Sequence, residues 1–170
     1  PRDGGARTEQ CGARPAARPD RLTLDRIDSP IGPLDLAFDP EGRRRGLSFD
    51  TAEEPAGNLT RAMRREYPSA GLESGAAPKG VVTVLRDYFD GEPTALERID
   101  WSLEGARSSD GFQAKVWRAL TGIPAGRTLS YGEMARRVGE ADGLHASAAQ
   151  AAGVALNRNP IALVLACHRV

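Results

Sequence analysis

Cys167 is followed at once by His168 and Arg169, at the end of the apolar run 161–165. A cysteine attacks only as its thiolate, and at an ordinary pKa of about 8.5 only a few per cent of it is ionised at neutral pH. A neighbouring base or cation is what would make it a working nucleophile. On the dipeptide alone two readings stand: an activated thiol, or a core cysteine with two polar residues turning outward, free cysteine being among the most buried residue types. Asn159-Pro160 precedes the run. Asn before Pro is a common turn choice. The other cysteine, Cys11, lies in a Pro/Arg/Gly-rich stretch. Nothing suggests a secreted disulfide framework, and the two Cys and two His have no paired spacing for a metal.

The elements that must position these residues differ between the two halves of the chain. Residues 1–20 are polar and rich in Gly, Pro and Arg, which predicts a disordered tail or linker. Leu22, Leu24 and Ile27, then Leu34, Leu36 and Phe38, then Leu47 and Phe49 alternate between turn signals, which predicts an antiparallel meander. A short helix is expected over 57–67, a small-residue loop over 71–78, and an amphipathic helix over 79–90 with Gly91 at its C-terminal cap. Leu96, Ile99, Trp101 and Leu103 predict a further strand or extended connector. Residues 105–109 then read as a domain boundary.

The second half reads as helical. Ser109 or Asp110 can cap a helix carrying Phe112, Val116, Trp117 and Leu120. Ser130 with Glu133 has capping-box spacing, and opens a helix whose apolar side is Tyr131, Met134, Ala135 and Val138. After a loop over 139–146 that holds His145, Ser147 caps a third helix over 148–156, built almost wholly of small residues. The pair reads as helix-turn-helix. Small side chains permit close approach to a ligand or to another helix, and both remain open. The run 161–165 reads as a buried strand.

At 170 residues the chain is one domain or two small ones and can bury a core without staples. Mean hydropathy is −0.42, and no run approaches the roughly 18 apolar residues of a membrane span. No signal segment opens the chain, so a cytoplasmic setting is expected. Formal net charge is zero, yet residues 108–170 hold 7 basic and 4 acidic side chains. That balance suits a polyanion, or is ordinary surface variation.

From Gly111 onward the chain closely resembles the O6-alkylguanine-DNA alkyltransferases, also called methylated-DNA–protein-cysteine methyltransferases. The resemblance rests on FQxxVWxALxxIPxGxTxSYGExA, on Val-Gly closing that helix, on Asn159-Pro160, and on Cys-His-Arg-Val at the end. IDSPIGPLDLAF and the helix ending in Asp-Tyr-Phe-Asp-Gly extend it to about residues 22–170. It implies an α/β N-terminal domain (21–104) with an antiparallel sheet and helices. A mostly helical, winged-helix or helix-turn-helix-like DNA-binding domain (108–170) follows. It also implies direct repair without a cofactor or metal, by a monomer acting on double-stranded DNA. The helix-turn-helix enters the minor groove, O6-alkylguanine or O4-alkylthymine is flipped out, and Cys167 keeps the alkyl group permanently. Flipping costs a few kcal/mol, least for a weakly paired lesion.

By the same resemblance Cys167, His168 and Asn159 are the catalytic set, His168 drawing the thiol proton through a water. Tyr131 presses on the target phosphate, unless it only packs a helix start. Gln150, Ala151, Gly153, Arg158 and Arg169 join it as DNA-binding residues, with Arg169 also suited to a structural contact. Leu156 and Val170 line the pocket. Three departures stand out. Ala166 replaces the usual Pro, Gln150 stands where an arginine finger is usual, and the loop 139–146 is longer. The start at Pro1 and the stop at Val170 lead us to expect a fragment or trimmed product, without the Gly-rich loop, final helix and His-orienting glutamate that the resemblance implies. The competing readings are a non-catalytic binder of alkylated DNA, an inactive fragment of an adaptive-response regulator and, more weakly, a cysteine hydrolase. No oxyanion-hole signature supports the last.

Overall fold

The computed structural model describes residues 18–49, 57–139 and 148–170. Strands β1 (Arg21–Ile27), β2 (Leu34–Phe38) and β3 (Arg44–Phe49) form the meander that the alternation predicts. Both connections close as turns: Gly32 N–H donates to the Ser29 carbonyl at 3.0 Å, and Gly42 N–H to the Asp39 carbonyl at 2.9 Å. β2 is covered on both faces. Leu34, Leu36 and Phe38 enter the large core, while Ala37 enters a smaller cluster with Leu22, Leu59, Met63 and Tyr67.

The sheet is mixed rather than antiparallel. Within 71–78, where small residues predict a loop, β4 (Gly71–Ser74) runs parallel to β1 and completes the order β3-β2-β1-β4. These residues carry no alternation. Their extended state comes from the neighbour, through Gly71 N–H to the Asp20 carbonyl at 2.8 Å and Gly75 N–H to the Leu24 carbonyl at 3.0 Å. The tail-like composition reaches residue 20, yet Pro19 is buried. Residues 1–17, Cys11 among them, lie outside the described residues.

Helix α1 (Gly57–Glu66) lays Leu59 and Met63 over the sheet. A Cβ at Gly46 would sit 2.7 Å from Leu59 Cδ1 and 2.9 Å from Met63 Cε, so glycine lets these two side-chain ends lie directly on the strand, and any larger residue would displace them. Helix α2 (Lys79–Phe89) ends in a Schellman arrangement. Glu92 N–H bonds the Asp87 carbonyl, Gly91 N–H bonds the Tyr88 carbonyl, and Gly91 has φ 104°. The alternation at 96–103 does not become a strand. Ala95–Arg98 is a short 3-10 helix, and only Trp101 bridges, to Arg44. Leu96 and Ile99, three residues apart and both buried, share one side of a three-residue turn as readily as they fit an extended chain.

Helices α3 (Phe112–Leu120), α4 (Tyr131–Gly139) and α5 (Ala148–Asn157) follow. Gly111 caps α3 without a side-chain bond, in place of Ser109 or Asp110. The Ser109 hydroxyl is turned to the Asp110 carboxylate, and Ser108 binds Glu66 through both its N–H and its hydroxyl. At α4 the capping box forms as the spacing predicts. Glu133 N–H donates to Ser130 Oγ at 3.2 Å, and Ser130 N–H to Glu133 Oε2 at 2.7 Å. These bonds hold the Glu133 carboxyl below its ordinary pKa. Residues 140–147, with His145 and the expected cap Ser147, lie outside the described residues. The large core joins Leu34, Leu36 and Leu47 of the sheet to Trp117, Met134 and Leu156 of the helices.

Two adjacent arginines of β3 are fully buried. Arg45 is paired: its Nε donates to Asp39 Oδ2 at 2.8 Å, and its Nη1 to the Glu104 carbonyl at 2.6 Å. Arg44 is not. None of its three nitrogens has a hydrogen-bond partner among the described residues. Its guanidinium carbon lies 5.7 Å from the Phe38 ring centroid. Burial drives its pKa down to about 10. The nearby Asp39 charge offsets part of this burial, but a buried cation without hydrogen bonds destabilises a fold by more than one cation–π contact returns. Arg44→Met should therefore raise the thermal midpoint by about 2–4 °C, the shift that roughly 1 kcal/mol gives in a domain of this size. Calorimetry showing a fall of that size would mean that the Phe38 contact outweighs desolvation.

Candidate active site

The segment from Asn159 to Val170 is shaped by backbone bonds rather than by a sheet ladder. After α5, Asn159 bridges the segment. Its Nδ2 donates to the Leu165 carbonyl at 2.6 Å, and its Oδ1 accepts from Ile161 N–H at 3.0 Å. Leu47 of β3 holds the same stretch from outside. Its N–H donates to the Pro160 carbonyl at 2.8 Å, and its carbonyl accepts from Ala162 N–H at 2.9 Å.

Residues 161–165 are therefore not the predicted strand. Ile161 makes one isolated parallel bridge to Leu47, and the chain then turns. Val164 N–H bonds the Ala162 carbonyl at 2.8 Å around Leu163, whose φ is +65°. Cys167 N–H bonds the Leu165 carbonyl at 2.7 Å around Ala166, at φ −69° and ψ 66°. The second is an inverse γ-turn, close to an energy minimum; the first, around a residue of positive φ, is the rare and strained kind. Such a conformation stores on the order of 1–3 kcal/mol and persists only where its surroundings over-determine it. The apolar run reports burial, since Ile161, Leu163 and Leu165 are all buried. It does not report an extended chain, because short apolar runs carry no period.

Cys167 is a free, half-buried thiol that opens a three-residue 3-10 turn, Cys167–Arg169. Ala166 before it has the φ that a proline ring would impose, so alanine takes up the same backbone without the ring. His168 is exposed. Partial burial, and then the Arg169 cation, push its imidazole below the ordinary value of 6.5. The ring is thus neutral at pH 7 and able to accept a proton. Arg169 is tied into the protein: its Nη1 donates to the Ile123 carbonyl at 2.7 Å, and its carbonyl accepts from Leu129 N–H at 2.8 Å. Both partners lie in the connection between α3 and α4, which anchors the far end of the turn.

The other predicted residues gather on the α4–α5 face. Tyr131 is not on the apolar side of α4. It is 52% exposed, with its ring against α5, where a Cβ on Gly153 would lie 3.5 Å from Tyr131 Cε2. Gln150, Ala151 and Arg158 are exposed beside Val154. Ala152, Ala155 and Leu156 are buried. The small residues of α5 thus serve helix packing on one side and leave a low surface on the other. Leu156 packs in the core, and half-buried Val170 rests against the same cluster. A cavity of about 360 Å³ lies between Trp101, Leu120, Ile123, Leu163 and Ala166; neither Cys167, Leu156 nor Val170 lines it. Among the described residues no group of three Cys, His, Asp or Glu side chains could hold a metal ion, and no helix is long and apolar enough to cross a membrane.

Sequence reading missed three positioning residues. Trp117 Nε1 donates to the Ala155 carbonyl at 2.7 Å and fixes α5 against α3. A buried indole needs such an acceptor, which is a usable signal. Leu47 and Leu163 act through their backbones, for which side-chain type gives no sign.

One titration follows. The His168 proton resonances should report a midpoint below 6.5 by NMR; a midpoint at or above it would mean that burial and Arg169 do not govern the ring. The unfolded chain then binds this proton more readily than the folded one, so the stability tied to His168 is present above about pH 6.5 and is lost as pH falls through the lowered value.

A family model described as "6-O-methylguanine DNA methyltransferase, DNA binding domain" matches residues 111–170. A curated methylated-DNA–protein-cysteine methyltransferase of Salmonella typhimurium is 34% identical over 152 residues, covering 88% of this chain and 82% of the relative. One of Mycobacterium tuberculosis is 40% identical over 144 residues, covering 85% and 74%. A crystal structure of Mycobacterium tuberculosis OGT in complex with DNA superposes with a TM-score of 0.61 at 33% identity, covering 87% of this chain and 77% of that one. O6-methylguanine-DNA methyltransferase from Pyrococcus kodakaraensis gives 0.55 at 25% identity, covering 88% and 85%.

Proposed function

The chain belongs to the methylated-DNA–protein-cysteine methyltransferase family, and on that premise we propose that Cys167 is the alkyl acceptor in direct repair of O6-alkylguanine in DNA. The observation that carries the reading is the placement of a free thiol on a turn held from both sides, next to a neutral imidazole. In the reaction, the Cys167 sulfur attacks the alkyl carbon and the bond from that carbon to O6 breaks. The electron pair leaves with the guanine, which takes up a proton to become the normal base. His168, neutral at pH 7, receives the thiol proton through a water as the sulfur attacks. The S-alkyl bond stays, so each chain acts once. O4-alkylthymine presents the same electrophilic carbon and is a second substrate of the same class.

The DNA contact is assigned to the α4–α5 face, read as a helix-turn-helix within a winged-helix-like domain over 108–170, behind an α/β domain over 21–104. An atom inside a duplex is out of reach of the thiol, so the base must leave the stack. The low surface at Ala151 suits close approach to the walls of a minor groove. Tyr131, exposed above Gly153, is positioned to press on the backbone of the rotating nucleotide. Gln150 can hydrogen-bond the orphaned partner base but brings no charge, and Arg158 supplies a phosphate contact. Arg169, bonded to Ile123, is better read as an anchor than as a DNA ligand. The neutral Gln150 is also what favours a second reading, a non-catalytic binder of alkylated duplex.

Cys167→Ala should abolish methyl uptake from an O6-methylguanine duplex, measured by intact mass and peptide mapping, and leave duplex affinity within a few-fold. Loss of both together would make the cysteine structural. A wild-type chain that binds alkylated duplex but gains no methyl would establish the binder instead. Gln150→Arg should tighten binding to alkylated duplex in a gel-shift or anisotropy titration; unchanged affinity would remove Gln150 from the flipping machinery.

A further inference from the structure

We propose that the left-handed backbone of Leu163 is a positioning device for the Cys167 thiol. Leu163 is the one non-glycine residue with positive φ among the described residues, and it stands four positions before the acceptor. Its surroundings account for its persistence. Leu47 holds Pro160 and Ala162 on one side, and Asn159 holds Ile161 and Leu165 on both flanks of the kink. Between those clamps the chain has room for one abrupt reversal, and Leu163 makes it, with Val164 N–H closing onto the Ala162 carbonyl. Leu165 N–H then reaches back to the Ile161 carbonyl at 3.0 Å, and the inverse γ-turn at Ala166 delivers Cys167. An extended Leu163 would carry Leu165 away from Asn159 and release the turn that bears the thiol.

The side chain does separate work: it is buried in the core and forms part of the cavity wall. Backbone and side chain therefore predict opposite orders of tolerance. If the left-handed conformation matters, residues that adopt it readily, Gly and Asn, should serve at position 163, and a β-branched residue should not. If Leu163 is only core packing, Val is the mild change and Gly and Asn are the severe ones.

The biological meaning of this inference rests on the acceptor role of Cys167, but its test does not. Leu163→Gly, Leu163→Asn and Leu163→Val are compared with wild type in the full chain. One reaction is methyl uptake from O6-methylguanine duplex, and the other is alkylation by iodoacetamide, each quantified at Cys167 by peptide mapping so that Cys11 does not contribute. We expect Leu163→Gly and Leu163→Asn to keep rates within about threefold of wild type, and Leu163→Val to slow both reactions at least tenfold with duplex affinity unchanged. The reverse order, or equal rates in all four proteins, overturns the proposal. Should Leu163→Val fail to fold, Leu163→Ala against Leu163→Gly carries the same comparison, Ala being the slower if the backbone governs and the equal or faster if packing does. If wild type takes no methyl while the iodoacetamide order holds, the repair reading fails and the positioning inference stands.

Discussion

Leu47 spends both of its backbone hydrogen bonds on the segment that carries the acceptor. An edge strand normally presents a row of unpaired N–H and C=O groups, and β3 presents one of its edges to Pro160 and Ala162. Much else in the molecule follows from that contact. It brings the sheet and the helices into one core, since Leu47 and Ile161 are both fully buried where they meet. It also leaves Asn159 to satisfy the backbone groups that a single bridge cannot reach. The sheet thus helps hold the segment that leads to Cys167, through the two Leu47 bonds.

The helical half adds a second fixed frame. Trp117 fastens α5 to α3, and Arg169 fastens the end of the turn to the α3–α4 connection. Between these anchors the small residues of α5 let the helix pack closely through Ala152 and Ala155, while Gly153 admits the Tyr131 ring and Ala151 stays low on the outside. One composition answers two steric demands, which is why neither use could be chosen from the sequence.

What was legible in the sequence was whatever side chains encode by period or by local hydrogen bonding. The meander over β1–β3, the Ser130–Glu133 box and the Gly91 terminus of α2 all read directly. What failed was structure imposed from elsewhere. β4 has no strand composition and is extended because β1 is beside it. Leu96 and Ile99 satisfy alternation and a 3-10 turn alike. The run 161–165 looks like a strand because it is apolar, whereas its shape is dictated by Leu47 and Asn159. Of the candidate site, Cys167, His168 and Asn159 stood out by residue type and by family resemblance. The strain at Leu163 left no trace, as leucine is a poor choice for positive φ and a good one for a core.

The sealing of β3 also bears on how the protein must be made. Its covering segment is separated from it in sequence by nearly the whole helical half, so the closing contact is among the most non-local in the fold, and such contacts form slowly. During synthesis the strands emerge first; residues 100–102 can cover the Arg44 end of the β3 edge, while its Leu47 end stays open until residues 159–162 follow. Partly made sheets with exposed edges are prone to pair with copies of themselves. The turn that bears Cys167 is therefore continuous with the segment that closes this sheet edge, and a chain interrupted before Asn159 would leave the edge open at Leu47.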